Sequence, residues 1–284
     1  MSLLAPPAPV SARRPAAPPA APVGTVPRLV LRGVSRETYR LLTDTPGNDA
    51  VRLAHDPDRD GGRLTVDPAP GRPAAGGWST HGGEVRFALR HVPPAAFAEL
   101  REDPRNDHVR MTYARNQGDL LEFLVTISFP HAEVAGLIAG LVDQFCLARD
   151  IDHRNSGDMT VSGEGAGSLE GDVSFYIRSY EAVRGKETVD FDAGDPVPDV
   201  GVEVVVSNPL ANKPALYADL GVGELWVWRD AELTISVLTD DGEYAPAGDS
   251  PNLPGFPFAL AADVLRRRAE LGRTGVLRAF AAGL

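Results

Sequence analysis

The chain predicts an α/β protein built on a mixed sheet, and three observations carry that expectation. From residue 119 onward, short β-rich runs alternate with helical patterns, the order expected of helices packed on a sheet. One run, "PDVGVEVVVS" at 198–207, has the length and β-branched content of a central strand covered on both faces. Upstream, two similar stretches each read as a short strand, a helix, a polar turn and a β-hairpin. The 284 residues suit one large domain or two small ones. With 43% hydrophobic and 24% charged residues, the chain can bury a core. Lys and Arg number 28 against 39 Asp and Glu, a formal charge of −11, which argues against tight non-specific binding to nucleic acid. Cys146 is the single cysteine, so an internal disulfide framework and a multi-cysteine zinc cluster are excluded.

Residues 1–25, rich in Pro and Ala, read as a disordered tail with polyproline character. They have no basic residue ahead of their apolar part, so they do not resemble a signal peptide. The longest apolar run, 132–142, stops at Asp143 and falls short of the ~18–20 residues that cross a bilayer. A cytoplasmic protein without membrane contact is therefore expected. Residues 28–53 align without gaps to 86–111. Arg28, Leu31, Arg32, Val34, Leu42, Pro46, Asn48, Asp49, Val51 and Arg52 recur as Arg86, Leu89, Arg90, Val92, Leu100, Pro104, Asn106, Asp107, Val109 and Arg110. This makes 26–71 a partial repeat of the unit that begins at 86. The Gly/Pro-rich stretch between them, set at 72–85, reads as a linker.

Further on, 119–128 reads as a strand, 131–150 as an amphipathic helix and 171–179 as a strand with Asp172 at its start. After the valine-rich strand come a helix at 214–221 and strands at 224–228 and 233–238. Glu203 stands among Val200, Val202, Val204, Val205 and Val206. A carboxylate within a buried strand costs on the order of several kcal/mol unless it is paired or bound to a cation. Lys213 follows ten residues later, and Pro214 suits the first turn of a helix, which sets Lys213 at that helix's N-terminal boundary. Two carboxylates and a lysine at one end of a sheet can hold a divalent metal and activate water against a phosphodiester. A bland reading stands beside this one: Glu203 on a solvated face, or opposite a structural cation.

"LEGDVSFYI", "PDVGVEVVVSNPLANKPALYADLGVGELWVW" and "DGEYAPAGDSPNLPGFPF" resemble the Uma-two restriction-endonuclease family of the PD-(D/E)XK nuclease superfamily. The resemblance covers roughly 86–280, with 28–66 similar to an extra copy of the family's N-terminal part. It implies a restriction-endonuclease-like αβββαβ core with a mixed sheet over 86–284, carrying a duplicated N-terminal strand-helix-hairpin unit. It implies Mg²⁺ (or Mn²⁺) bound by Asp172 and Glu203, with Lys213 supplied from the helix as third catalytic residue. The chain departs from the family pattern at Gly171, where a proline is usual. It also departs at Ala132, which displaces the helix glutamate to Glu133, and at Val205.

Other candidates are weaker. His131 could touch the site or cap its helix, and His108 and His153 read as surface residues. Asp199 suits a turn, Glu170 a solvated strand start, and Tyr217 a packing role beside Lys213. The basic stretch 265–273 reads as a solvated helix face, and "GEGAG" at 163–167 lacks the lysine of a phosphate loop. The expected function is Mg²⁺-dependent hydrolysis of DNA phosphodiester bonds, with DNA as partner and a homodimer left open. The alternatives are a catalytically silent nuclease-fold binding or regulatory module, and a nucleotide or small-molecule hydrolase on the same scaffold.

Overall fold

Alternating apolar side chains and glycine turns divide the described residues into three sheets. The computed structural model describes residues 28–69, 77–163 and 165–284; the expected tail at 1–25 lies outside them. The first unit runs β1 (Leu29–Leu31), α1 (Arg36–Thr43), β2 (Val51–Asp56) and β3 (Arg63–Pro68). Its sheet order is β1-β3-β2, antiparallel throughout.

The second unit contains β4 (Trp78–His81), β5 (Glu84–Leu89), α2 (Pro94–Glu102), β6 (Arg110–Ala114) and β7 (Leu120–Thr126). The expected linker at 72–85 is thus part strand. Gly82 and Gly83, at φ 59° and 86°, turn β4 into β5, with Trp78 opposite Phe87. Two consecutive residues at positive φ are what a tight hairpin requires, so glycines that suggested a linker close a turn.

The long helix α3 (Phe129–Arg149) follows. Ser128 caps it, its hydroxyl accepting the His131 N–H at 3.4 Å. Its 21 residues are long and apolar enough to cross a membrane by composition. Here its apolar face packs on a sheet instead. Next come β8 (Arg154–Gly157), β9 (Thr160–Gly163), β10 (Gly167–Glu170), β11 (Val173–Tyr176), α4 (Tyr180–Val183), β12 (Val200–Val205) and α5 (Lys213–Asp219). The chain ends with β13 (Glu224–Arg229), β14 (Glu232–Leu238), β15 (Tyr244–Pro246), α6 (Phe258–Arg266) and α7 (Arg268–Ala281).

The second sheet has the order β4-β5-β7-β6-β10-β9 and the third β15-β14-β13-β12-β11-β8. The run at 119–128, read as leading into the core, joins the second sheet between β5 and β6. In the third sheet β12 and β13 are parallel, joined by a crossover through α5, and all other pairs are antiparallel. The sheet is therefore mixed, as expected. Leu137, Ile138, Leu141 and Phe145 of α3 bury against Phe175, Val200, Val202, Val204 and Trp226, with Phe256, Leu265 and Phe280 behind. Full burial of such side chains contributes about 1.5–3 kcal/mol each. The valines of β12 that face α3 leave the other side of that strand to Gly201, Glu203 and Val205.

Candidate active site

Glu203, pointing away from the α3 core, lies 5% exposed between two donors. Lys213 Nζ donates to Oε2 and the Tyr217 hydroxyl to Oε1, each at 2.7 Å. Both donors come from α5, which Asn212 caps by accepting the Ala215 N–H at 3.3 Å. The expected position of Lys213 at the helix boundary holds. Tyr217 reaches across because two backbone positions lack side chains. A Cβ on Gly201 would stand 2.6 Å from the Tyr217 ring, and one on Gly171 2.4 Å from its hydroxyl. Glycine at 171, the departure from the family's proline, thus clears the space that the Tyr217 hydroxyl occupies.

Asp172 stands immediately before β11, beside Glu203 on the neighbouring β12. Its N–H donates to Val202 O at 3.2 Å, and its Oδ2 accepts the Val204 N–H at 2.7 Å. Arg110 Nη1 donates to Oδ1 at 2.6 Å, and His131 Nε2 lies 2.8 Å from the same oxygen, outside hydrogen-bond alignment. His131 Nδ1 meets Glu84 Oε1 at 2.5 Å. Of its two readings, His131 fulfils the first, since its ring touches Asp172; it does not cap the helix, which starts two residues earlier and is capped by Ser128. Asp172, Glu203 and Lys213, far apart in sequence, share one buried cluster.

Electrostatics follows from burial opposed by pairing. Burial would raise Asp172, but His131, Lys213 and the Val204 N–H hold it well below the usual carboxylate range. Burial raises Glu203, with the Asp172 charge adding and Lys213 opposing. Burial would lower Lys213, yet Glu203 and Asp172 hold it above the ordinary lysine value. His131, despite burial, rises to about 9 through Asp172 and Glu84. Tyr217 is pushed well up by burial and by Glu203, so its hydroxyl stays a donor.

Several members of the cluster escaped sequence reasoning. Arg86, 3% exposed, donates Nε to Ser207 Oγ at 2.7 Å, Nη1 to Glu122 Oε1 at 2.5 Å and Nη2 to Glu84 Oε2 at 3.1 Å. Glu122 Oε2 accepts the N–H groups of Leu210 and of Ala211, the latter at 2.7 Å. Those amides belong to the loop between β12 and Lys213, so two strands of the second sheet pin the segment that carries the lysine. The signal was available, because Glu122 sits in "LLEFLV" as Glu203 sits among valines.

The remaining candidates lie apart. Asp199 accepts from the Ile177 and Ser179 amides at 2.6 and 3.0 Å, the expected turn role. Glu170 meets Arg101 at 3.3 Å. His153 contacts Asp143 at 2.9 Å, and His108 is exposed. Glu133, one place past the family's position, turns to Arg268 at 3.3 Å instead of toward Asp172. In the basic stretch, Arg266 and Arg267 face Asp263 and Arg273 faces Gly136 O.

Residues 95–264 match the model of the Uma2 family, whose description is "Putative restriction endonuclease". The chain belongs to the Uma2 family. Its match includes Asp172, Glu203, Lys213 and Tyr217, and leaves the whole first unit outside. Among solved structures, this Uma2 chain is similar to a "putative nuclease belonging to DUF820 from Anabaena variabilis ATCC 29413". The identity is 16%, over 60% of this chain and 90% of that one, with a TM-score of 0.36. No curated protein matches.

Whether the Uma2 site suits a divalent cation depends on its donors. Asp172, just before β11, and Glu203, on β12, offer hard carboxylate oxygens. Mg²⁺ takes one or two such groups from protein and the rest from water and substrate phosphates. Among the described residues no group of three His, Cys, Asp or Glu is placed to hold a metal. Two carboxylates without a third such donor do not make a cage of protein alone, and their oxygens already meet Arg110, His131, the Val204 amide, Lys213 and Tyr217. A cleft of about 510 Å³ opens beside Glu203 and Lys213, lined also by Val205, Asn212, Val227 and Arg229 among others, and Asp172 is not part of its lining.

Proposed function

We propose that the chain hydrolyses DNA phosphodiester bonds with Mg²⁺ (or Mn²⁺) as cofactor, using Asp172, Glu203 and Lys213. One observation carries the reading: a buried carboxylate, Glu203, bonded by Lys213 at 2.7 Å beside a second carboxylate and at the wall of an open cleft. Buried ion pairs are poor devices for stability and common ones at reactive centres. Family membership supplies the reaction class. Asp172 and Glu203 are the residues that would hold the cation, which when bound supplies positive charge at the scissile phosphate. Lys213 contributes a fixed ammonium facing the cleft, where negative charge develops during phosphoryl transfer. Tyr217 orients Glu203, and Glu122 with Arg86 holds the loop before Lys213 in place. The arrangement of α3, β8, β11, β12, α5 and β13 supports an αβββαβ reading of the core. Residues 28–66 read as an extra copy of the unit that starts at 86.

Incubation with supercoiled plasmid and Mg²⁺ or Mn²⁺ tests the function. Nicking that disappears in Asp172→Ala and Glu203→Ala is expected. Absence of nicking, or nicking that survives both substitutions, refutes the proposal. A specific observation favours the second reading, a catalytically silent binding module. Each buried carboxylate of the cluster already has a cation: Arg110 and His131 at Asp172, Lys213 at Glu203, and Arg86 at Glu84 and Glu122. Under that reading, Mn²⁺ titration calorimetry gives no heat that Glu203→Gln abolishes.

A further inference from the structure

Residues 28–69 match 86–126 in more than sequence. Both run strand, helix, strand, strand, and both place the third strand of the unit between the other two. Local details recur 58 residues apart. Tyr39 stacks on His55 at 4.9 Å and 18°, and Phe97 stacks on Tyr113 at 4.4 Å and 18°. His55 Nε2 meets Val34 O, and the Tyr113 hydroxyl donates to Val92 O, both at 2.7 Å. Gly33 and His91 both take positive φ, 70° and 53°. Histidine in that conformation is uncommon, so the backbone shape is kept even where glycine is absent.

The contacts between the units are reciprocal. Asn48 Oδ1 accepts the Arg90 N–H at 2.8 Å, and Asn48 Nδ2 donates to Arg90 O at 3.3 Å. Asn106 Oδ1 accepts the Arg32 N–H at 2.9 Å, and Asn106 Nδ2 donates to Arg32 O at 3.0 Å. Each asparagine also donates to its own helix, Asn48 to Leu42 O and Asn106 to Leu100 O. Asn48 corresponds to Asn106 and Arg32 to Arg90, so residue i of one unit meets j of the other and j meets i. That exchange is the signature of a two-fold interface between identical copies. Leu31, Leu64 and Val66 share one buried core with Phe87, Leu121 and Phe123.

The geometry points to the first unit as a partner copy held in cis: residues 28–69 occupy the face through which the 86–126 unit pairs with a second copy of itself. The chain is then a single-chain pseudo-dimer. Only the second half runs on into the chain that carries Asp172, Glu203 and Lys213, and Thr65 stands where it has Glu122, which holds the loop before Lys213. One corollary rests on the proposed nuclease reading: a particle with one centre cuts one strand per encounter.

Hydrogen exchange of the full chain tests the exchange of partners directly. In Asn48→Ala the Arg90 amide loses its acceptor and exchanges roughly tenfold faster, while Arg32 keeps its protection; Asn106→Ala reverses the pattern. Unchanged exchange at Arg90 and Arg32 in these variants overturns the proposal. The unaltered chain provides a second measurement should either variant not fold. Sedimentation equilibrium is expected to give the mass of one chain, 30.2 kDa, at every loading. A stable pair of chains overturns the proposal, since the pairing face would then be open to a second copy. On supercoiled plasmid, nicked circles accumulating well before linear DNA support the corollary, and simultaneous linearisation refutes it. No cleavage at all, with the exchange pattern intact, refutes the nuclease reading and leaves the pseudo-dimer standing.

Discussion

Truncating Glu122 is expected to cost this protein more than any surface change. Glu122 is 2% exposed, pairs with Arg86 at 2.5 Å and accepts two loop amides, including that of Ala211 at 2.7 Å. Glu122→Ala leaves Arg86 buried with one carboxylate fewer and strands both amides. Removing one member of a buried ion pair costs about 3–5 kcal/mol, and each orphaned group about 1–3 kcal/mol. The groups form one network, so these figures overlap and do not add. A loss of about 3–5 kcal/mol is expected, against a total stability on the order of 5–15 kcal/mol. At roughly 2–4 °C per kcal/mol, Tm falls by roughly 6–20 °C. Urea and thermal unfolding followed by circular dichroism measure both, with Glu187→Ala, at an exposed position, expected within about 0.5 kcal/mol of the parent. A Glu122→Ala loss below about 1 kcal/mol, the range of solvent-exposed pairs, would refute the argument that this pair is sealed from water and anchors the loop.

Three further outcomes follow from the same contacts. Gly171→Ala brings a methyl group to 2.4 Å from the Tyr217 hydroxyl and should destabilise by about 1–3 kcal/mol. In the Tyr217→Phe background the cost should shrink, and equal costs in both backgrounds would show that the hydroxyl is not the obstacle. Lys213→Met leaves Glu203 buried without its cation and should cost about 3–5 kcal/mol. Adding Glu203→Gln should recover much of that loss in urea unfolding, and strict additivity would contradict the pairing. Glu84, which burial alone would raise, is held below its ordinary value of 4.5 by His131, Ser207 and Arg86. Its contribution is therefore full above about pH 4.5 and lost as pH falls through its lowered folded value. The urea midpoint of Glu84→Gln should fall less steeply than that of the parent below that pH, and parallel profiles would refute the assignment.

One polar residue set in an apolar strand, Glu203, is legible in the sequence, whereas Glu122 in "LLEFLV" is not singled out there. Glu203 among valines announced a buried carboxylate, and Pro214 announced the helix boundary that sets Lys213 beside it. Strands β8, β9 and β10 were not legible, because "RNSG", "TVSG" and "GSLE" carry no apolar alternation. They exist because neighbouring strands offer them hydrogen-bond partners. The 78–85 hairpin was hidden for the opposite reason: its glycines serve a turn, yet in a Gly/Pro-rich stretch they suggest a linker.

By itself, the sequence determined the α/β class, the buried core helix and the central strand, since each depends on side-chain pattern over a few turns or strands. Tertiary structure alone decided the partners. Arg86 and Arg110 recur at the positions of Arg28 and Arg52, yet the earlier pair meets Asp67 at the surface, while the later pair is drawn into the cluster around Asp172 and Glu122. The reason is physical. Charges interact through space, and which carboxylate a given arginine meets depends on how the sheets pack, information that no local pattern contains.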